Sequence, residues 1–151
     1  VGDSDHVELR FQGFTSTELE AYRAWFSDAE LSARIDFPTD EWFAYVRDDK
    51  SARCWAVAGA DGWMLAQIQV DRNDKNIGHV ELVVRPDLRG KGLGKRVLLA
   101  FVVGEGCQYR ELHAHIEADN AASLACFRGA GFVETKEPED DEFRLLIWRA
   151  L

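Results

Sequence analysis

The stretch Val83-Val84-Arg85-Pro86-Asp87-Leu88-Arg89-Gly90-Lys91-Gly92-Leu93-Gly94-Lys95-Arg96 decides how the rest of the chain is read. It follows the alternating run His79 to Val84 and precedes the apolar run Val97 to Val103, so a strand, a glycine-rich bend and a buried helix are expected in that order. Such a bend offers an anion free backbone N–H groups and the positive end of a helix dipole. Glycine lets the backbone approach phosphate oxygens with no Cβ in the way. Arg85, Arg89, Lys91, Lys95 and Arg96 against Asp87 give the bend a net charge of +4. A phosphate or pyrophosphate site is therefore expected here rather than a plain turn with solvated bases. Two common phosphate loops fail on spacing. A P-loop needs glycine where Arg89 stands and Ser or Thr where Arg96 stands, and a dinucleotide GxGxxG meets Lys95 or Val97 at its third glycine.

Working outward toward the N-terminus, Trp63 to Asp71 and Arg53 to Ala58 read as strands joined by Gly59 to Gly62, with Asp61-Gly62 as a hairpin signal. Pro38 and Asp40 start a helix carrying Trp42, Phe43 and Val46. Thr15 or Ser16 starts an earlier one carrying Leu19, Tyr22, Trp25 and Phe26. Val7 to Phe11 alternates as a half-buried first strand. Toward the C-terminus, Leu112 to Ile116 is a short strand. Asp119 or Asn120 caps an Ala-rich helix stopped by Gly129 and Gly131, and Phe143 to Trp148 is a final strand. The order gives an α/β domain on a mixed sheet.

Composition and charge narrow the classes. At 151 residues and 17.1 kDa, with 46% hydrophobic and 30% charged residues and no repeat, low-complexity tract or linker, one packed domain over residues 1–151 is expected. No apolar run approaches the roughly 18 residues of a membrane helix, and Val1 to Arg10 lacks the layout of a signal peptide. Cys54, Cys107 and Cys126 are odd in number and widely spaced, as in a reducing, cytoplasmic compartment. The net charge of −9 argues against a general nucleic-acid binder. Residues 1–49 hold 12 acids against 4 bases, net −8, and residues 134–142 hold 6 acids against Lys136, net −5. An acidic chain with one basic turn is expected to bind an anion at the turn and a cation elsewhere.

The spacing Arg-x-x-Gly-x-Gly, Arg89 to Gly94, resembles the GNAT superfamily of acetyl-CoA-dependent N-acetyltransferases. A second segment, Asn120 to Phe132, is similar to that family's Asn-x-x-Ser/Ala-x-x-x-Tyr-x-x-x-Gly-Phe helix and strand. The resemblance implies a GNAT-like fold: a central, mostly antiparallel sheet splayed between the fourth and fifth strands, with helices on both faces. It also implies acetyl-CoA as donor. The pyrophosphate would lie on the backbone of Arg89, Gly90, Lys91, Gly92, Leu93, Gly94 and Lys95, and the pantetheine arm along Val83 and Val84, with Asn120, Ser123 and Phe127 on its other side. In the family the early helices roof the acceptor cleft, which brings Trp25 and Trp42 into consideration, although tryptophans are more often core.

The family often uses a Tyr as acid where this chain has Phe127, which cannot donate a proton. The thiolate then leaves unaided or with water, Cys126 or another hydroxyl substitutes, or catalysis is lost. For the base, His113, His115 and Glu117 share one strand face, and His79 and Glu81 alternate in the same way on the strand before. Imidazole suits the task, so His115 is the first choice and Glu81 the second. His79 and His113 are read as lining residues, and a metal site from the same histidines is the weaker reading. The acceptor is expected to be a cationic primary amine, such as a polyamine or aminoglycoside. A protein N-terminus or lysine and a catalytically weak acyl-CoA-binding domain are the alternatives. A homodimer is allowed for.

Overall fold

Strand pairing orders most of the chain in the computed structural model, which describes residues 8–135 and 142–150. The strands are β1 (Arg10–Gly13), β2 (Ala52–Ala58), β3 (Met64–Arg72), β4 (Ile77–Val84), β5 (Glu111–Glu117), β6 (Val133–Glu134) and β7 (Phe143–Arg149). The helices are α1 (Ser16–Ala24), α2 (Ala29–Arg34), α3 (Asp40–Asp48), α4 (Leu93–Val103) and α5 (Ala121–Gly129). The strands form one mostly antiparallel sheet in the order β1-β2-β3-β4-β5-β7-β6. Its parallel pair is β4 with β5, joined at Ile77↔Glu111, Gly78↔Leu112 and His79↔His113. Beyond that register β4 runs on to Val84 and β5 to Glu117, where β5 is still paired with β7. This is the expected parting of the fourth and fifth strands.

The chain forms two compact units. One runs to Gln69 and takes in Leu82–Arg89; the other takes Val70–Glu81 and the chain from Gly90 onward. In the first, aromatic rings pack together with buried aliphatic side chains such as Leu19, Leu31 and Val83. Tyr22, 1% exposed, meets the rings of Phe14, Trp25 and Phe26 edge-on at centroid distances of 5.8, 5.4 and 5.1 Å. Local chemistry starts each helix around it. The Thr15 N–H donates to Glu18 (2.8 Å), Asp28 accepts the Leu31 N–H (3.0 Å), and Thr39 accepts the Trp42 N–H (3.1 Å). In the second unit Val97, Leu98 and Phe101 of α4, Leu112 of β5 and Leu146 of β7 are fully buried. One face of the apolar run Val97 to Val103 thus fills a core, while Leu99 and Val103 are exposed.

Several expected boundaries move. The first strand begins at Arg10, and Val7 lies outside the described residues. The first helix breaks after Ala24 into a short 3-10 turn, Trp25–Ser27, because Asp28 caps a separate helix, α2, that the apolar spacing alone did not divide. Helix α4 starts at Leu93, not Val97, since the glycine run supplies its first turn. Trp63 stands outside its strand and is 69% exposed. On β4 the regular alternation expected for Val80, Leu82 and Val84 slips: Gly78 and Val80 are buried, then Val83 rather than Leu82 or Val84. A one-residue slip turns a strand's faces over.

Strand β3 buries two amides, Gln67 and Gln69. Gln69 accepts the Trp42 indole N–H at 3.0 Å. The Gln67 amide N–H meets the Cys54 sulfur at 3.2 Å, while its Oε1 is buried with no hydrogen-bond partner. Turning the amide over would only exchange which end goes unpaired. An orphaned buried acceptor costs about 1–3 kcal/mol, whereas an apolar side chain of similar shape carries no such penalty. Gln67→Met is therefore expected to hold or raise stability; a gain of about 1 kcal/mol would read as a Tm about 2–4 °C higher by thermal denaturation. A clear fall in Tm would show that the amide is satisfied in solution.

Candidate active site

The bend after β4 is built by two left-handed glycines. Gly90 and Gly92 have φ of +76° and +77°, a region that costs other residues about 1–2 kcal/mol. Gly92 is the N-cap of α4 and brings no side-chain acceptor to it; the Arg96 N–H closes on the Gly92 carbonyl at 3.2 Å. The first-turn N–H groups ahead of it have no partner within the helix. The other helix starts near the N-terminal end of the chain are neutralised by acids: Glu18 in α1, Glu30 in α2, Asp40 and Glu41 in α3. Helix α4 has no acid in its first turn and carries Lys95 and Arg96 immediately behind its cap. Its positive end therefore has no acid of its own in that turn.

The bases of the bend divide into two kinds. Arg85 is spent internally, with Nε on Asp87 at 2.7 Å and Nη1 on the Met64 carbonyl at 3.1 Å. Arg89, expected to offer a donor to pyrophosphate, instead donates its N–H to the Pro86 carbonyl (3.4 Å) and its guanidinium to Asp28 (2.8 Å). The same Asp28 oxygen accepts the Leu31 N–H at the start of α2. These two bonds, Arg89 first, hold the Asp28 carboxyl below the ordinary range. Arg89 is thus tied to Asp28, and Gly90, Lys91 and Gly92 after it are exposed. Lys91 and Lys95 are exposed, the stem of Lys95 passing over Gly129 at the end of α5.

The structure brings together three of the singled-out histidines where β4 and β5 part. The His79 ring lies between the other two: edge-to-face with His113 (centroids 5.6 Å, planes at 78°) and stacked on His115 (5.4 Å, 23°). His115 is exposed, while His79 and His113 are half-buried. His113 Nε2 is 2.8 Å from Glu111, whose second oxygen takes the Arg149 guanidinium at 2.6 Å. Those two bonds hold the Glu111 carboxyl below its usual range. Glu81 is exposed on β4. Glu111 and Arg149 were not singled out from the sequence. Glu111 could have been, as it stands two residues before His113 on the same strand face; Arg149 required the β5–β7 register.

The other expected site residues occupy structural positions. Asn120 caps α5, accepting the Ser123 N–H at 3.2 Å. Phe127 is buried edge-on against Phe132 (5.0 Å, 85°). Burial pushes the neighbouring Cys126 thiol up to about 11. Val83 is buried and Val84 half-buried. Trp25 belongs to the aromatic core, and Trp42 packs on Phe14 with its N–H taken by Gln69, so packing accounts for both. Among the described residues no cluster of His, Cys, Asp and Glu has the arrangement of a metal site.

Residues 19–132, which hold the bend, the three histidines and α5, match the family model for the acetyltransferase (GNAT) family. The chain belongs to the GNAT family. It is an acetyl-CoA-dependent N-acetyltransferase, and the curated relatives it matches are named an N-acetyltransferase and an acetyltransferase. It is 36% identical over 144 residues to the uncharacterized N-acetyltransferase YfmK of Bacillus subtilis, covering 93% of this chain and 96% of that one. It is 33% identical over 127 residues to the mycothiol acetyltransferase of Actinosynnema mirum, covering 72% of this chain and 42% of that one. The GNAT fold is shared with the spermidine N-acetyltransferase of Vibrio cholerae solved with CoA and spermine, at a TM-score of 0.78 and 12% identity over 93% of this chain and 95% of that one.

The lowered Asp28 carboxyl has a testable consequence. A carboxyl held below its unfolded value stabilises the folded chain above the ordinary range, near pH ~4, and that contribution disappears as pH falls through the lowered value. Asp28→Asn keeps a capping acceptor but no charge for Arg89. Its Tm is expected to be lower than wild type near neutral pH and to converge on it below about pH 4. Parallel curves would show that the ion pair contributes nothing in solution.

Proposed function

We propose that this N-acetyltransferase binds the pyrophosphate of acetyl-CoA on the backbone from Gly90 to Lys95 and acetylates a polycationic primary amine, with His115 as base. The start of α4 carries the reading: two left-handed glycines, no acid in the first turn and bases around it. Acetyl-CoA supplies an acetyl group on a thioester sulfur. The acceptor nitrogen must lose a proton to attack, and the exposed His115 at the parting of β4 and β5 is placed to take it, with Glu81 the second choice. Neither the side chain at the family's tyrosine position nor the thiol before it is suited to return a proton to a thiolate. Phe127 has none to give, and Cys126, at about 11, holds its proton above the ordinary thiol value of about 8.5. Solvent serves that end.

The acceptor reading rests on charge. Of the acids between residues 8 and 49, Glu18, Asp28, Glu30, Asp40 and Asp48 are engaged in caps or ion pairs and Asp49 accepts from Ser51, so few are left to clasp an ammonium directly. Their net field persists nonetheless, since residues 1–49 still sum to −8, and long-range capture follows net charge. The acidic segment expected before the last strand falls mostly on residues 136–141, outside the described residues. A spermidine N-acetyltransferase uses this fold, which is in keeping with a polyamine-like acceptor.

Two measurements test the proposal. Gly94→Asp places a carboxylate in the first turn of α4, where it favours the helix dipole but repels phosphate. The variant should stay folded with Tm at or above wild type, while acetyl-CoA affinity by calorimetry falls at least about tenfold. Wild-type affinity would move the phosphate site elsewhere. For the acceptor, thiol release with matched cationic and neutral amines should favour the cationic ones. That preference in kcat/KM should shrink as salt rises, since the Debye length is already about 8 Å at physiological ionic strength. Equal rates with a flat salt response would remove the cationic acceptor and leave the donor site standing.

A further inference from the structure

We propose that His113, with Glu111 as its carboxylate partner, is a second catalytic residue of the cleft: its Nδ1 takes the second of the two protons that the acceptor nitrogen must lose. The proposal rests on the reading of this cleft as the place where a primary amine attacks acetyl-CoA, with His115 as first base. An ammonium carries three hydrogens on nitrogen and the acetamide product one, so two protons leave the same atom in each turnover. A base that has taken the first is an imidazolium and accepts nothing more until it has released it. His115 alone therefore covers half of the proton traffic.

The Glu111 contact decides what His113 has to offer. Its Nε2 is 2.8 Å from one Glu111 oxygen, and the other oxygen takes the Arg149 guanidinium at 2.6 Å. A carboxylate accepts only, so Nε2 carries the hydrogen of the neutral ring and Nδ1 carries the lone pair. Among the described residues Nδ1 has no hydrogen-bond partner, and the buried side-chain polar atom left without one is Gln67 Oε1, so Nδ1 keeps contact with solvent. His113 thus combines a fixed tautomer, a reachable lone pair and a carboxylate that stabilises the imidazolium formed there. Side chains two apart on a strand share a face at about 7 Å, a span that two hydrogen bonds of about 3 Å to a common nitrogen cover. His79 touches the rings of both His113 and His115, at 5.6 and 5.4 Å between centroids, so the two are presented on one side. The charged and titratable groups nearest the His113 ring are Glu111 and His115 on its own strand, His79 opposite it on β4, and Arg149 opposite Glu111 on β7. Glu81 and Glu117 stand further along the two strands.

His115 takes the first proton from the ammonium, the freed amine attacks the thioester carbonyl, the C–N bond forms and the C=O electron pair moves to oxygen. The nitrogen of that adduct is positively charged and bears two hydrogens. One passes to His113 Nδ1, the C=O bond re-forms, the C–S bond breaks and solvent protonates the thiolate. Both imidazolium rings then return their protons to solvent, so one net proton is released beside the amide and the thiol. The weight of the second transfer depends on the acceptor. An alkyl amine, with an ordinary value of about 10.4, is expelled from the adduct less readily than a thiolate of about 8.5, whereas a weakly basic nitrogen is expelled first unless its proton is removed. A hydrazide nitrogen is of the second kind, and it is already free base at neutral pH.

The test compares two acceptors with the same cationic arm on the full chain: 3-(trimethylammonio)propylamine, an ammonium at neutral pH, and (trimethylammonio)acetohydrazide. With the amine, kcat should fall in both His115→Ala and His113→Phe. With the hydrazide, the deficit of His115→Ala should shrink at least about tenfold, while that of His113→Phe should reach about a hundredfold. KM for acetyl-CoA should move in neither. His113→Phe keeps a ring against His79 and removes the lone pair; should it fail to fold, His113→Gln, which keeps an N–H for Glu111, takes its place with the same expectation. A loss of packing alone would slow both acceptors equally and would overturn the proposal. So would a wild-type rate with the hydrazide in the His113 variant, a wild type that acetylates the amine but not the hydrazide, or imidazole NMR that finds the hydrogen of wild-type His113 on Nδ1. If His115→Ala matches wild type with the amine, the reading of His115 as first base fails, and the hydrazide result still decides for His113 by itself.

Discussion

A helix start must find something for its first amide donors, and in this chain the answers differ from helix to helix. Helices α1, α2 and α3 use Glu18, Asp28 and Thr39 together with acids in their first turns. Helix α4 uses neither, because its cap is a glycine held at positive φ. The omission costs the isolated helix stability, which its buried face of Leu93, Val97, Leu98, Phe101 and Val102 offsets. What makes α4 a poor helix start is what the proposed anion site would use. Arg85 and Arg89 just before the bend are engaged with Met64 and Asp28.

The second constraint is the way β5 is paired. It is bonded to β7 along its full length, from Glu111↔Arg149 to Glu117↔Phe143, but to β4 only as far as His113. A strand held firmly on one edge and released midway on the other exposes side chains at the point of release while keeping their backbone fixed. His113 and His115 are at that point, which is how an exposed imidazole can still be well placed. The β5–β7 pairing also sets Arg149 opposite Glu111, the residue that bonds His113.

Much of this was legible before any coordinates. The bend was readable because glycine spacing and local charge are local properties, and the two segments similar to the family fixed the topology that strand periodicity alone left open. The face shared by His113 and His115 followed from the two-residue period of a strand. What could not be read were the cross-strand and cross-helix partners. Asp28 and Arg89 are 61 positions apart, and Glu111 and Arg149 are 38 apart; no local pattern joins either pair. The division of α1 from α2 was missed because the aromatic spacing continues across it and only the capping aspartate marks the break. The slip on β4 leaves no trace in the hydrophobic alternation, which reads smoothly through Leu82 and Val84.

Asp28 illustrates how one side chain can bind two positions into a single heritable unit. Its carboxylate caps α2 and holds Arg89. Serine or threonine at 28 would keep the cap and leave the Arg89 guanidinium without its carboxylate, whereas a change at 89 alone would leave the carboxylate without its cation. Neither single change is neutral, so among descendants of this sequence the two positions are under pressure to change together. A lineage that loses the pair should also be one in which the bend has acquired another means of being held.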